Sequence, residues 1–245
     1  MTLEDVIEAA RAAGEAVLEV YETDFEARTK ADGSPVTEAD ERAQEIIVAR
    51  LGSELPIIAE EDASAGSDAP AGPFWLVDPL DGTKEFLGRN GEFTINIARI
   101  EDGVPVLGVV LAPALGRLFA AAPGQRPFVE DEGGRREISV RAVPAAGVTI
   151  VSSRSHGDAG ALDRFTASRR VAASVAAGSS LKFCLVAGGE ADIYPRFGRT
   201  MEWDTAAGHA VVLAAGGRVT DLSGAPLRYG KPGFENPHFI AWGAE

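Results

Sequence analysis

Apolar residues recur every three or four positions at the start of the chain. Leu3, Val6, Ile7, Ala10, Gly14, Val17, Leu18 and Tyr21 share one face and predict an amphipathic helix. A loop from Lys30 to Val36 follows, then a second helix with Ala43, Ile46, Ile47 and Leu51 on its buried face. Leu55 to Ala59 predicts a buried strand, and Ala63 to Gly72 a small-residue loop. Trp75-Leu-Val is an apolar strand that runs into Asp78 and Asp81. From Phe93 to Phe119 the period falls to two, with Phe93, Ile95 and Ile97 on one face and a turn at Asp102-Gly103. Val106 to Leu111 and Arg117 to Ala121 extend this antiparallel meander, on which the two helices are expected to pack.

Pro123 to Arg136 is polar and glycine-rich, which predicts a boundary between an N-terminal lobe, 1–124, and a C-terminal lobe, 125–245. Beyond it, strands at 149–152, 171–175, 191–194, 217–221 and 239–242 alternate with helices at 158–166, 180–187 and 204–215. Such alternation indicates an α/β layer, so the whole chain is expected to be α/β (α+β).

With 45% hydrophobic and 24% charged residues over 245 positions, the composition is that of a globular protein with a sizeable core. No apolar run is long enough for a membrane span, and the opening residues show no basic leader or secretory segment. Cys184 stands alone, which excludes an internal disulfide and a cysteine-based zinc site. These features predict a cytoplasmic location, with peripheral attachment to the inner face of a membrane left open. Twenty-three basic against 37 acidic residues give a net charge of −14, which argues against binding long nucleic acid. With three histidines in all, any metal site should be built mainly from oxygen.

The segment Asp78-Pro-Leu-Asp81-Gly82-Thr83 is the main candidate for chemistry. Carboxylates at the end of a buried strand suit hard cations, and free N–H groups at a helix start suit phosphate oxygens. The bland alternatives are ordinary Asp-Pro and Asp-Gly turns and a helix cap. Glu60 after Ile57-Ile-Ala59, Asp204 before an Ala-rich helix and Asp40 near the second helix add three more acids. Singly, each reads as a solvated residue or a cap. Together with Asp78 and Asp81 they point to a metal centre.

Four blocks, Ser34 to Asp40, Glu60-Glu-Asp62, Trp75 to Asn96 and Glu202 to His209, resemble the lithium-sensitive, Mg²⁺-dependent phosphatases of the inositol monophosphatase superfamily. Lys84-Glu-Phe, Arg89 to Thr94, Gly178 to Cys184 and Tyr194 to Gly198 are most similar to its 3′(2′),5′-bisphosphate nucleotidases. Arg199 departs from that pattern, standing where similar sequences often carry Pro.

The resemblance implies a layered αβαβα sandwich with the site between the lobes. It assigns two or three Mg²⁺ ions to Glu60, Asp78, Asp81, Asp204 and the Leu80 carbonyl, and the water-orienting pair to Thr83 and Asp40. It also implies phosphate contacts from the Gly82 and Thr83 amides, and substrate contacts from Ser155, His156, Gly178, Lys182 and Asp204. The bland readings are a surface loop residue for His156 and a solvated helix residue for Lys182. His209, Phe86 and Phe93 read as structural. The implied partner is a small bisphosphate nucleotide, adenosine 3′,5′-bisphosphate, cleaved by phosphomonoester hydrolysis in the setting of sulfate assimilation. The rivals are an inositol-phosphate or sugar-phosphate phosphatase, and a metal-binding regulatory protein without turnover.

Overall fold

The computed structural model describes residues 1–25, 27–29, 35–62, 68–154 and 158–244. The expected loop residues 30–34 and 63–67 lie outside that set. Helix α1 (Leu3–Tyr21) starts at Thr2, which forms a capping box with Asp5. Two short strands, β1 (Arg28–Thr29) and β2 (Pro35–Val36), pair antiparallel, so the end of the expected loop is extended backbone. Thr37 then caps α2 (Glu38–Leu51) through a second box whose acidic member is Asp40.

The first sheet contains β3 (Ile57–Ala59), β4 (Phe74–Asp81) and, after the one-turn helix α3 (Thr83–Leu87), β5 (Thr94–Glu101). It continues with β6 (Val104–Ala112), β7 (Arg117–Ala121), β8 (Phe128–Asp131) and β9 (Gly134–Glu137), paired in chain order. Only β3 and β4 are parallel. As an edge strand, β3 leaves Ile57 and Ile58 half-buried, less covered than the sequence suggested. The polar stretch from Pro123 also proves to hold two strands. There Phe128 and Val129 supply the buried positions, while β9 is exposed throughout and ion-paired, Arg135 to Glu4 and Glu130 and Arg136 to Asp131. An exposed edge rich in Arg lacks the apolar alternation that announces a strand.

The second sheet comes from β10 (Val148–Ser153), then α4 (Ala159–Thr166), β11 (Val171–Ala177), α5 (Leu181–Ala187), β12 (Ile193–Arg196), α6 (Ala206–Ala214), β13 (Arg218–Asp221) and β14 (Phe239–Trp242). Its strand order is β11-β10-β12-β14-β13.

The two faces of the first sheet feed two cores. Ile95, Ile97, Leu107 and Val109 pack with α1 and α2, whereas Ala98, Ile100, Val110 and Ala112 pack with α5, α6 and the second sheet. Phe165 of α4 meets Phe197 edge-on and Trp242 at a tilt beyond that sheet. The layers therefore run helix, sheet, helix, sheet, helix. Gly108 lets α6 cross close to β6, since a Cβ there would lie 2.3 Å from the Ala207 carbonyl oxygen. That crossing brings the start of α6 to the end of β4. Among the described residues, no helix is long and apolar enough to cross a membrane.

Candidate active site

Strand β4 carries an irregularity where the site forms. Asp78 pairs with Asn96 and Asp81 with Thr94, so three steps on β4 match two on β5. The extra residue is a bulge, and Pro79 within it has no N–H to donate to a ladder. In regular alternation Asp78 and Asp81 would face opposite ways. Phe74 and Leu76 pack with the α6 core, but Leu80 packs with Trp75 and Val77 on the other face, so the parity changes across the bulge. Both carboxylates thereby come to the same side. The Leu80 N–H donates to Asp78 Oδ1 at 3.0 Å and fixes the turn.

Glu60 directly follows β3, held by its N–H to the Val77 carbonyl at 3.1 Å. Asp204 arrives from the other sheet's side, just before α6. It accepts from the Met201 N–H at 2.8 Å and makes no cap to its helix, whose capping residue is Thr205. Oxygens of Glu60, Asp78 and Asp204 lie within 4.8 Å of one another. Burial, then Glu60, Asp81 and Asp204, push the Asp78 carboxyl well above the usual carboxylate range. Burial, Asp81 and Glu60 do the same to Asp204. Such crowding of oxygen-only ligands is uncompensated charge that a hard divalent cation would offset. The donor set therefore fits a divalent metal held by oxygen.

Asp81 stands beside this group. Burial raises its carboxyl, while Lys182 and the Ser179 hydroxyl work the other way. Ser179 Oγ donates to Asp81 Oδ2 at 2.6 Å, and the Asn96 amide lies 3.5 Å from the same oxygen. Ser180 Oγ donates to Asn96 Oδ1 at 2.6 Å and lies 2.9 Å from Thr94 Oγ1. The turn before α5 is pinned tightly. Ser179 takes φ 52°, rare for a residue with a side chain, and a Cβ on Gly178 would lie 2.6 Å from the Glu92 carbonyl oxygen. Glu92 accepts from the Gly178 N–H at 2.9 Å and from Arg154 Nη2 at 3.0 Å. The roles of Ser179, Thr94, Asn96 and Glu92 depend on distant pairings that linear spacing does not reveal.

Lys182 is 4% exposed, which rules out a solvated helix residue. Its ammonium donates to the Ser179 and Ala177 carbonyls, and burial lowers its pKa to about 8 despite the attraction of Asp81. Asp40 is buried and accepts from the Thr37 N–H at 2.8 Å and hydroxyl at 2.7 Å, so it does serve as a cap. Gly82 takes φ 90° at the cap position of α3, with Thr83 the first helical residue. Ser155 and His156 lie outside the described residues. His209 is buried beside the Tyr229 hydroxyl, 2.9 Å from Nδ1, and burial depresses its pKa to about 3, as befits a structural residue. Phe86 and Phe93 are core residues. Arg199 is exposed and pairs with Glu235 at 3.2 Å.

Residues 2–242 match the inositol monophosphatase family, and the chain belongs to that family, whose enzymes are metal-dependent phosphatases. The 3′(2′),5′-bisphosphate nucleotidase CysQ of Escherichia coli K12 is 46% identical over 244 residues, 97% of this chain and 98% of that protein. The crystal structure of CysQ from Bacteroides thetaiotaomicron superposes with TM-score 0.84 at 38% identity, covering 99% of this chain and 97% of that one. An IMPase from Thermotoga maritima gives TM-score 0.77 at 28% identity, covering 96% and 89%.

Proposed function

We propose that this protein is a 3′(2′),5′-bisphosphate nucleotidase that hydrolyses the 3′-phosphate of adenosine 3′,5′-bisphosphate to AMP and inorganic phosphate. The 5′-phosphosulfate analogue is a second substrate in this reading. The observation that carries it is a buried cation, Lys182, beside the carboxylates that would handle the first phosphate. A bisphosphate has a second anionic group for that cation, and a simple monophosphate has none. Near-full-length similarity to CysQ proteins supports the same substrate class.

Glu60, Asp78, Asp81, Asp204 and the Leu80 carbonyl would hold two or three Mg²⁺ ions, Asp204 coming from the 125–245 half and the others from 1–124. Divalent ions there would neutralise phosphate charge and make a water acidic enough to act as nucleophile. Thr83 would orient that water by hydrogen bonding, and Asp40 would draw the proton through the same pair. The Gly82 and Thr83 amides would contact phosphate oxygens. Gly178, Lys182 and, in the 153–158 connection, Ser155 and His156 would hold the remainder of the nucleotide. The reading places the enzyme in the cytoplasm, where the buried thiol of Cys184 stays reduced.

The test is Mg²⁺-dependent phosphate release from adenosine 3′,5′-bisphosphate, inositol 1-phosphate and fructose 1,6-bisphosphate in parallel. The nucleotide should have the highest kcat/KM. Preference for inositol 1-phosphate would instead establish an inositol phosphatase, and phosphate release from none of them would leave a metal-binding protein without turnover.

A further inference from the structure

Behind the site lies a buried polar network that the proposed chemistry does not use. Glu202, two residues before Asp204, is fully buried. Its carboxylate accepts from the Gly230 N–H at 2.7 Å, the Lys231 N–H at 2.9 Å and the Lys231 ammonium at 2.6 Å. Lys231 Nζ also donates to the Arg228 carbonyl at 2.6 Å and to Asn236 Oδ1 at 3.1 Å. Asn236 Nδ2 in turn donates to the Met201 carbonyl at 2.7 Å and Thr205 Oγ1 at 3.1 Å. Main-chain bonds complete the attachment, Asn236 N to Thr200 O at 2.9 Å and Glu202 N to Phe234 O at 2.8 Å.

The segment 200–205 is thus held along its length by 228–236. Its cargo is Asp204, fixed by the Met201 N–H, whose own residue is gripped by Asn236. The need for such a grip is electrostatic. Asp204 stands within 4.8 Å of two other carboxylates, and their repulsion would swing a loosely held segment away. Holding ligands in place before the ion arrives removes reorganisation from the binding step, which is how groups behind a metal site raise its affinity.

Resting on the metal-dependent reading above, we infer that Lys231 and Asn236 are positioning residues that keep Asp204 at the metal centre through Glu202 and the Met201 main chain. Neither has to touch the ion or the substrate. Their loss should therefore appear as weakened metal binding more than as slowed turnover at saturating metal.

The experiment titrates Mg²⁺ into metal-free protein by calorimetry, with Mn²⁺ paramagnetic resonance as a second probe and no substrate present. Lys231→Met and Asn236→Ala should each weaken binding by about tenfold or more, the range usual for residues behind metal ligands. Lys231→Arg, which retains a charged donor, should restore most of the affinity. Because Lys231→Met leaves Glu202 short of a cation, the paired variant Glu202→Gln with Lys231→Met is measured alongside. It should fold and still bind metal weakly. Wild-type affinity in Asn236→Ala and in the paired variant, with only a lower Tm, would overturn the inference and leave the network purely structural. No binding to the wild-type protein would overturn the metal reading beneath it, a different result.

Discussion

Lys182 gives the sharpest residue-level prediction. Lys182→Ala should raise KM for adenosine 3′,5′-bisphosphate by roughly ten- to a hundredfold, the worth of about 1.5–3 kcal/mol for a charged hydrogen bond. KM for a simple monophosphate should change far less, and equal changes would remove Lys182 from the nucleotide pocket. Its pKa, lowered by burial to about 8, adds a pH signature. The cation is present below that value and lost above it, so kcat/KM for the bisphosphate should fall as pH rises through about 8. Lys182→Arg stays charged and should remove that limb, and persistence of the limb would assign it to another group. Thr83→Ala should lower kcat by roughly a hundredfold, and Asp40→Asn similarly, with less than additive loss in the double variant if the two act as one unit. Additive losses would separate them. The carboxylates themselves were legible in the sequence because Asp-Pro-Leu-Asp-Gly-Thr is a dense local pattern. The Ser179 bond to Asp81 was not, since 98 positions separate the partners.

At the scale of elements, the bulge in β4 does what the linear pattern could not convey. A spacing of three within a strand reads as opposite faces, and only the partner register shows the parity change. Glycine at 108 is the matching feature on β6. Gly108→Ala would place a methyl 2.3 Å from the Ala207 carbonyl oxygen, on a helix whose start carries Asp204. Overpacking of this kind typically costs about 1–3 kcal/mol. Thermal unfolding should show a clear loss for Gly108→Ala and little for Gly198→Ala, where the backbone needs no positive φ and a Cβ would come no nearer than 3.7 Å to any neighbour. An unchanged Tm at position 108 would mean that α6 is not seated on β6 as described. The helices were legible from their period, and the meander from its alternation. The strands β8 and β9 did not stand out in the sequence because β8 buries only two adjacent residues, Phe128 and Val129, and β9 is an exposed, ion-paired edge without apolar alternation.

For the whole molecule, the carboxylate cluster ties stability to pH. Asp78 and Asp204 have carboxyls raised in the folded state, so the fold binds their protons more tightly than the unfolded chain does. Their contribution to stability is complete below the ordinary carboxylate value and is lost as pH rises through the raised values. As pH rises, metal-free protein therefore carries more of the cluster's repulsion, which a divalent ion relieves. Saturating Mg²⁺ should raise Tm more at pH 7.5 than at pH 5.5, with EDTA-treated protein as reference. The same rise at both values would mean that the ion binds elsewhere. The layered architecture was legible from the alternation of strands and helices. The meeting of β4 with α6 was not, because it depends on how two sheets sandwich one helix layer.

In the proposed reaction, carboxylates from both halves of the chain drive removal of the 3′-phosphate from a bisphosphate nucleotide. The most direct test is to incubate adenosine 3′,5′-bisphosphate with Mg²⁺ and follow the products by phosphorus NMR, with wild-type protein and with Asp78→Asn and Asp204→Asn. The wild type should yield 5′-AMP and inorganic phosphate in equal amounts, with no turnover in EDTA or in either variant. Formation of 3′-AMP, or normal rates in both variants, would rule out 3′-phosphate hydrolysis at this carboxylate cluster.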